Sequence, residues 1–176
     1  MLNKIDKLSK TEFTEVFGNI FENASWIGGE LYEEKPFNSF EDLSNKMLKI
    51  FEKTSDANKL LILKSHPDLA DKAKIGSLTK DSNDEQSGAG LDKCSEDEFN
   101  KFNKLNEEYK KKFEFPFILA VTGKNKNEIL DNFKKRILNN KKSEFFEANE
   151  QVKKIALTRL AKIKNNEKFH WWENIR

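Results

Sequence analysis

One cysteine, Cys94, stands in 176 residues, so neither an intramolecular disulfide nor a cysteine-rich zinc site can be built from this chain. Such usage suits a reducing compartment, and the expected location is cytoplasmic. Long apolar runs are missing too. The longest, Phe115 to Val121, is far too short to span a bilayer, and the opening MLNKIDKLSK holds no apolar run of signal-peptide length. No membrane association is expected, and Asn174-Ile175-Arg176 is not a peroxisomal address of the SKL type. Charge of one sign is absent: 32 Lys and Arg are interleaved with 30 Asp and Glu, which argues against nucleic acid as a partner. There is no Gly-rich phosphate loop, no HExxH and no nucleophile elbow, so nucleotide hydrolysis, zinc proteolysis and serine-hydrolase chemistry lack support.

What the chain does have is helix punctuation. Ser9 with Glu12, Ser39 with Asp42, Ser82 with Glu85, Ser95 with Glu98 and Asn125 with Glu128 each set a capping side chain three residues ahead of an acid. Apolar residues follow at helical spacing: Phe13, Val16, Phe17, Ile20 and Phe21; Phe40, Leu43, Met47, Ile50 and Phe51; Phe99, Phe102, Leu105 and Tyr109; Ile129, Leu130, Phe133, Ile137 and Leu138. A last helix is expected from about Ser143 to Ile163. The pattern predicts an all-α single domain over 1–176, a bundle of about seven to nine helices whose core owes much of its volume to fifteen phenylalanines. Two stretches break it. Trp26 to Phe37, with Gly28, Gly29 and Pro36, reads as a loop or broken turn. The segment near 115–122 suits an extended, buried conformation better than a helix.

Three places could carry chemistry. His66 precedes Pro67, and proline favours the first position of a helix, so His66 is expected at a helix N-terminus. There the dipole would help keep a neutral ring available for proton transfer; a plain capping role is the alternative. Ser82-Asn83-Asp84-Glu85-Gln86 reads as a second helix start. It is either an ordinary capping box or a set of free amides for anionic or carbonyl oxygens. Arg159 falls within the apolar stripe Ala148, Val152, Ile155, Ala156, Leu160 and Ile163, which aims a guanidinium at the core. It would bind a substrate carboxylate, snorkel, or pair with a structural acid such as Glu85. Cys94 has no base near it in sequence, and His170-Trp171-Trp172 reads as a terminal core seal or a docking patch.

These residues together resemble the 2-oxo-4-hydroxy-4-carboxy-5-ureidoimidazoline (OHCU) decarboxylases. The likeness runs through Phe17-Gly18, Phe21-Glu22, Ala24-Ser25-Trp26 and Pro36-Phe37. It becomes specific at His66-Pro67-Asp68-Leu69-Ala70, Ser82, Glu85-Gln86 and Ala89-Gly90-Leu91. It continues through Leu105-Asn106, Tyr109, Lys112-Phe113, Phe115-Pro116-Phe117-Ile118, Arg136, Asn139, Glu144, Gln151 and Arg159-Leu160. Two departures stand out: Glu114 where a glycine is expected, and Lys35 in place of an arginine.

The resemblance implies an all-α decarboxylase of urate breakdown that makes (S)-allantoin and CO2 from OHCU without metal or organic cofactor. It further implies that His66, Glu85 and Arg159 are catalytic. Pro67, Ser82, Asn83, Asp84, Gln86, Phe117, Ile118, Leu119, Ala120 and Val121 would bind the substrate. His66 would move protons, Glu85 would orient it or hold the ureido group, and Arg159 would take carbonyl or carboxylate oxygens. A homodimer is compatible with the resemblance. The competing reading, a non-catalytic helical interaction module, leaves Arg159 in its apolar stripe unexplained, and a basic-face nucleic-acid binder conflicts with the near-neutral net charge of +2.

Overall fold

A computed structural model describes residues 2–70 and 78–165. Among them the chain forms nine α-helices and no strand: α1 (Leu2–Ile5), α2 (Lys10–Phe17), α3 (Ser25–Glu33), α4 (Phe40–Lys53), α5 (Asp56–Lys64), α6 (Lys80–Gly88), α7 (Glu96–Phe113), α8 (Lys126–Arg136) and α9 (Lys141–Lys164). A 3-10 turn over Leu91–Lys93 joins α6 to α7. The all-α class is as expected. His170-Trp171-Trp172 lies outside the described residues.

Four of the five capping signals act as read. Ser9, Ser95 and Asn125 form reciprocal capping boxes with Glu12, Glu98 and Glu128, and the Asp42 amide donates to Ser39 Oγ at 2.9 Å. The fifth is a correction: α6 begins at Lys80 under Thr79, whose hydroxyl accepts from the Ser82 amide, so Ser82 lies inside the helix and is buried. Thr79, immediately before Lys80-Asp81, offers the same oxygen chemistry three residues earlier.

Trp26 to Phe37 is a second correction, because most of it is α3. A Cβ on Gly28 would sit 3.0 Å from the Gly18 Cα, so this glycine permits the close approach of backbones where α2 ends and α3 packs. Burial of Ile27 and Leu31 offsets the weak helix propensity of the glycine pair. Leu138 is a third: α8 stops at Arg136, and Leu138 is 81% exposed.

The described residues fall into two compact units, one running to Ile62 and resuming at Ile155, the other drawn from Leu63–Lys154. In the first, Phe13 packs on Phe17 and Phe37, Phe21 stacks on Phe51 at 4.9 Å, and Leu31, Leu43 and Met47 are fully buried. In the second, Tyr109 is ringed by Phe113, Phe115, Phe117 and Phe133, and Phe117 stacks on Phe133 at 3.8 Å. The segment after α7 is non-helical from Glu114 to Val121, as its sequence suggests.

That segment is pinned by a buried polar cluster. Glu144, wholly buried, accepts from the Tyr109 hydroxyl, from Arg136 Nε at 2.9 Å and from Asn139 Nδ2 at 2.7 Å. Arg136 Nη1 donates to the Ile118 carbonyl at 2.6 Å, and its guanidinium lies 4.6 Å over the Phe117 ring. Burial, and then the neighbouring carboxylate, push the Tyr109 hydroxyl well above the usual phenol range, so it remains a donor.

Candidate active site

His66 follows α5 by two residues, and its amide donates to the Leu63 carbonyl at 3.2 Å. No helix begins at Pro67: residues 67–70 are irregular and turn backbone, and Ala70 has a φ of 54°. His66 therefore sits beyond a helix C-terminus, a correction to the expected N-terminal placement, and the dipole argument for a neutral ring does not apply. Pro67 was a weak guide because proline is also common one to two residues past a helix end, where it cannot continue the spiral.

The irregular segment is held from both sides. Gln86, buried on α6, accepts from the Ala70 amide at 3.0 Å and donates to the Asp68 carbonyl at 3.3 Å. Asn106, buried on α7, donates to the Leu69 carbonyl at 2.9 Å. One turn further along α7, Lys110 Nζ reaches the buried Asp68 carboxylate at 2.6 Å. Buried backbone outside regular structure needs such partners, and here side-chain amides supply them.

Beside this segment lies a cavity of about 300 Å3 lined by Lys64, His66, Asp68, Lys110, Glu114, Phe115 and Pro116. That volume is at the lower end of small-molecule sites, and the lining joins a proton-transfer group and charges of both signs to an apolar wall. His66 and the start of the Phe115-Pro116-Phe117-Ile118 run, expected to work together, do meet here. Ser82, Asn83, Asp84, Glu85 and Phe117 to Val121 are not among the residues that line this cavity. On α6, Ser82 and Gln86 are buried, Asn83 and Glu85 are partly buried, and Asp84 is exposed. Among the residues expected to bind substrate, Ala120 donates its amide to Gln151 Oε1 at 3.0 Å.

Arg159 is 3% exposed, as its stripe requires, and its fork is engaged within its own unit. Nη2 donates to Glu22 Oε1 at 3.0 Å and Nη1 to the Ile20 carbonyl at 3.3 Å. A structural acid that it meets is Glu22. Sequence reading gave no role to Asp68, Asn106 or Lys110. Asn106, a polar residue on the buried face of α7 between Phe102 and Tyr109, was the one signal available. Lys110 carried none among so many lysines.

An all-helical chain with a histidine-lined cavity tied to irregular, side-chain-braced backbone has the make-up of a small-molecule enzyme. The family model for OHCU decarboxylase matches residues 6–161, and the chain belongs to that family. It is 32% identical over 160 residues to the 2-oxo-4-hydroxy-4-carboxy-5-ureidoimidazoline decarboxylase of Haloferax volcanii, covering 91% of this chain and 94% of that protein. It is 42% identical over 162 residues to the uric acid degradation bifunctional protein of Bacillus sp. (strain TB-90), 92% of this chain but only 32% of that longer relative. Among solved structures, a crystal structure of (S)-allantoin synthase superposes with a TM-score of 0.73 at 29% identity, over 92% of this chain and 53% of that one. A crystal structure of OHCU decarboxylase in the presence of (S)-allantoin shares the fold, with a TM-score of 0.65 at 22% identity, over 81% of this chain and 92% of that one.

Proposed function

We propose that this chain, as one functional domain over 1–176, decarboxylates OHCU to (S)-allantoin and CO2 in urate degradation, with His66 as its proton-transfer group. The observation that carries the reading is the family match across both compact units, together with His66 in a cavity of small-molecule size. The substrate explains why so little machinery is needed. Its carboxylate sits on a hydroxyl-bearing carbon next to a C=N bond. When the C–C bond to the carboxylate breaks, the electron pair forms a carbon–carbon double bond, the C=N electrons pass to nitrogen, and that nitrogen takes a proton. The resulting enol then loses its hydroxyl proton to become a carbonyl, and the ureido-bearing carbon gains one proton on one face. Net, one proton replaces CO2.

His66 is suited to both transfers, removing the hydroxyl proton and delivering one to carbon, because imidazole exchanges protons near neutral pH. Phe115 and Pro116 limit water around the reacting carbon. Glu85 is assigned to the ureido group or to orienting His66, and Arg159 to substrate oxygens, both from the resemblance. Pro67, Ser82, Asn83, Asp84 and the 117–121 backbone complete that assignment. Gln86 is given a different job: both ends of its amide already hold residues 68–70, which favours positioning over substrate contact.

No described helix is long and apolar enough to cross a membrane. Cytoplasmic location, assembly as a homodimer, and the absence of nucleic-acid or membrane partners belong to the same proposal. The test is stereochemical. Coupled to urate oxidase and 5-hydroxyisourate hydrolase, the protein should hasten the appearance of optically active allantoin, whereas racemic product at the spontaneous rate would refute the reading.

A further inference from the structure

We infer that the Asp68–Lys110 ion pair positions His66 for catalysis, with Lys110 acting through Asp68 and not through contact with the substrate carboxylate. The inference rests on the decarboxylase reading. Lys110 is a cation in the lining of a cavity that would receive an anion, so direct carboxylate binding is the obvious role for it. The geometry points elsewhere. Its Nζ lies 2.6 Å from Asp68 Oδ2, and Asp68 belongs to the short segment that carries His66. The Asp68 side chain is 7% exposed and that of Lys110 is 41% exposed, so the carboxylate is the buried partner and the ammonium its access to solvent. Asp68, Leu69 and Ala70 are each held by a side chain from α6 or α7, through Lys110 and Gln86, Asn106, and Gln86 respectively. Holding three consecutive residues of irregular backbone this way restricts His66, two residues upstream, to a narrow range of positions.

Chemistry favours the same division of labour. A cation bonded tightly to the leaving carboxylate would stabilise the substrate more than a transition state in which that charge has moved into the ring. With Lys110 committed to Asp68, the pair presents no net charge to the carboxylate. The other charged groups facing the cavity are Lys64 and Glu114.

The experiment compares Lys110→Met, Lys110→Arg, Asp68→Asn and the Asp68→Asn/Lys110→Met double variant in the coupled assay, with melting temperature and circular dichroism on each preparation. The Lys110 side chain is 41% exposed and methionine matches the length of its stem, so Lys110→Met is expected to fold. The expected result is a fall of about tenfold in kcat with KM within about twofold, substantial recovery in Lys110→Arg, and a double variant no worse than the poorer single. A tenfold rise in KM with kcat retained would overturn the inference in favour of direct substrate binding. Unchanged kinetics in Lys110→Met would overturn it in favour of a purely structural pair. Failure of the decarboxylase reading is distinguishable, since the wild-type protein would then be inactive in the same assay.

Discussion

At the scale of single residues, His66 and Arg159 make different demands. His66 is buried but lies outside any helix, on irregular backbone held by Gln86, Asn106 and Lys110, and glutamine keeps a polar side chain of similar length there. His66→Gln should stay folded and lose about 10²–10⁴-fold in turnover; near wild-type activity in a folded variant would dismiss the proton-transfer role. Arg159 is committed to Glu22 and a backbone carbonyl, and a lysine cannot reproduce that fork. Arg159→Lys should therefore lower stability by about 1–3 kcal/mol, the cost of leaving buried acceptors poorly satisfied. If Arg159 also binds substrate, catalytic efficiency of the folded fraction should fall about ten- to a hundredfold. Glu22→Gln serves as the control, expected to lower the melting temperature while sparing efficiency. Loss of stability alone in Arg159→Lys would remove Arg159 from the catalytic set.

At the scale of elements, the departures from the family pattern gain physical content. Glu114 caps α7 with φ 69° and ψ 16°, the left-handed conformation for which glycine is the natural residue. A non-glycine residue there costs about 1–2 kcal/mol. Its compensation is an ion pair with Lys141 at 3.2 Å, both side chains 66% exposed, and exposed pairs contribute little. Glu114→Gly should raise stability by about 0.5–1.5 kcal/mol, read as a higher midpoint in urea. A lower midpoint would mean the Lys141 contact outweighs the strain. Lys35, standing where an arginine is expected, donates from its ammonium to the Leu8 carbonyl at 3.0 Å and sits 4.3 Å from the Tyr32 ring centroid.

At the scale of the whole molecule, the helix caps make stability depend on acid. The Glu12 carboxyl is held below its ordinary value by the Ser9 hydroxyl and amide, Asp42 by the Asn38 amide, and Glu98 by Lys126 and the Ser95 amide. A group whose folded pKa is lowered contributes fully above its unfolded value and loses that contribution as pH falls through the folded one. The melting temperature should therefore be nearly level from about pH 7 to 5 and decline below about pH 4.5. A Glu12→Gln/Glu98→Gln protein, which lacks two of these titrating carboxyls, should show a shallower decline, and identical slopes would exclude them as its source. Sequence alone determined the helical class, four of five caps, the buried stripe around Arg159 and the irregular run before Val121, because periodicity and capping are local. It also pointed to His66 through motif. Tertiary structure decided that Gly28 joins helices instead of breaking one, that Arg159 meets Glu22, and that His66 follows a helix instead of leading one. It likewise revealed Asp68, Asn106 and Lys110 as the frame of the histidine's segment. The Arg159 contact and the frame of the histidine's segment depend on which polar groups find each other across 16 to 137 residues of chain, and no local pattern encodes that choice.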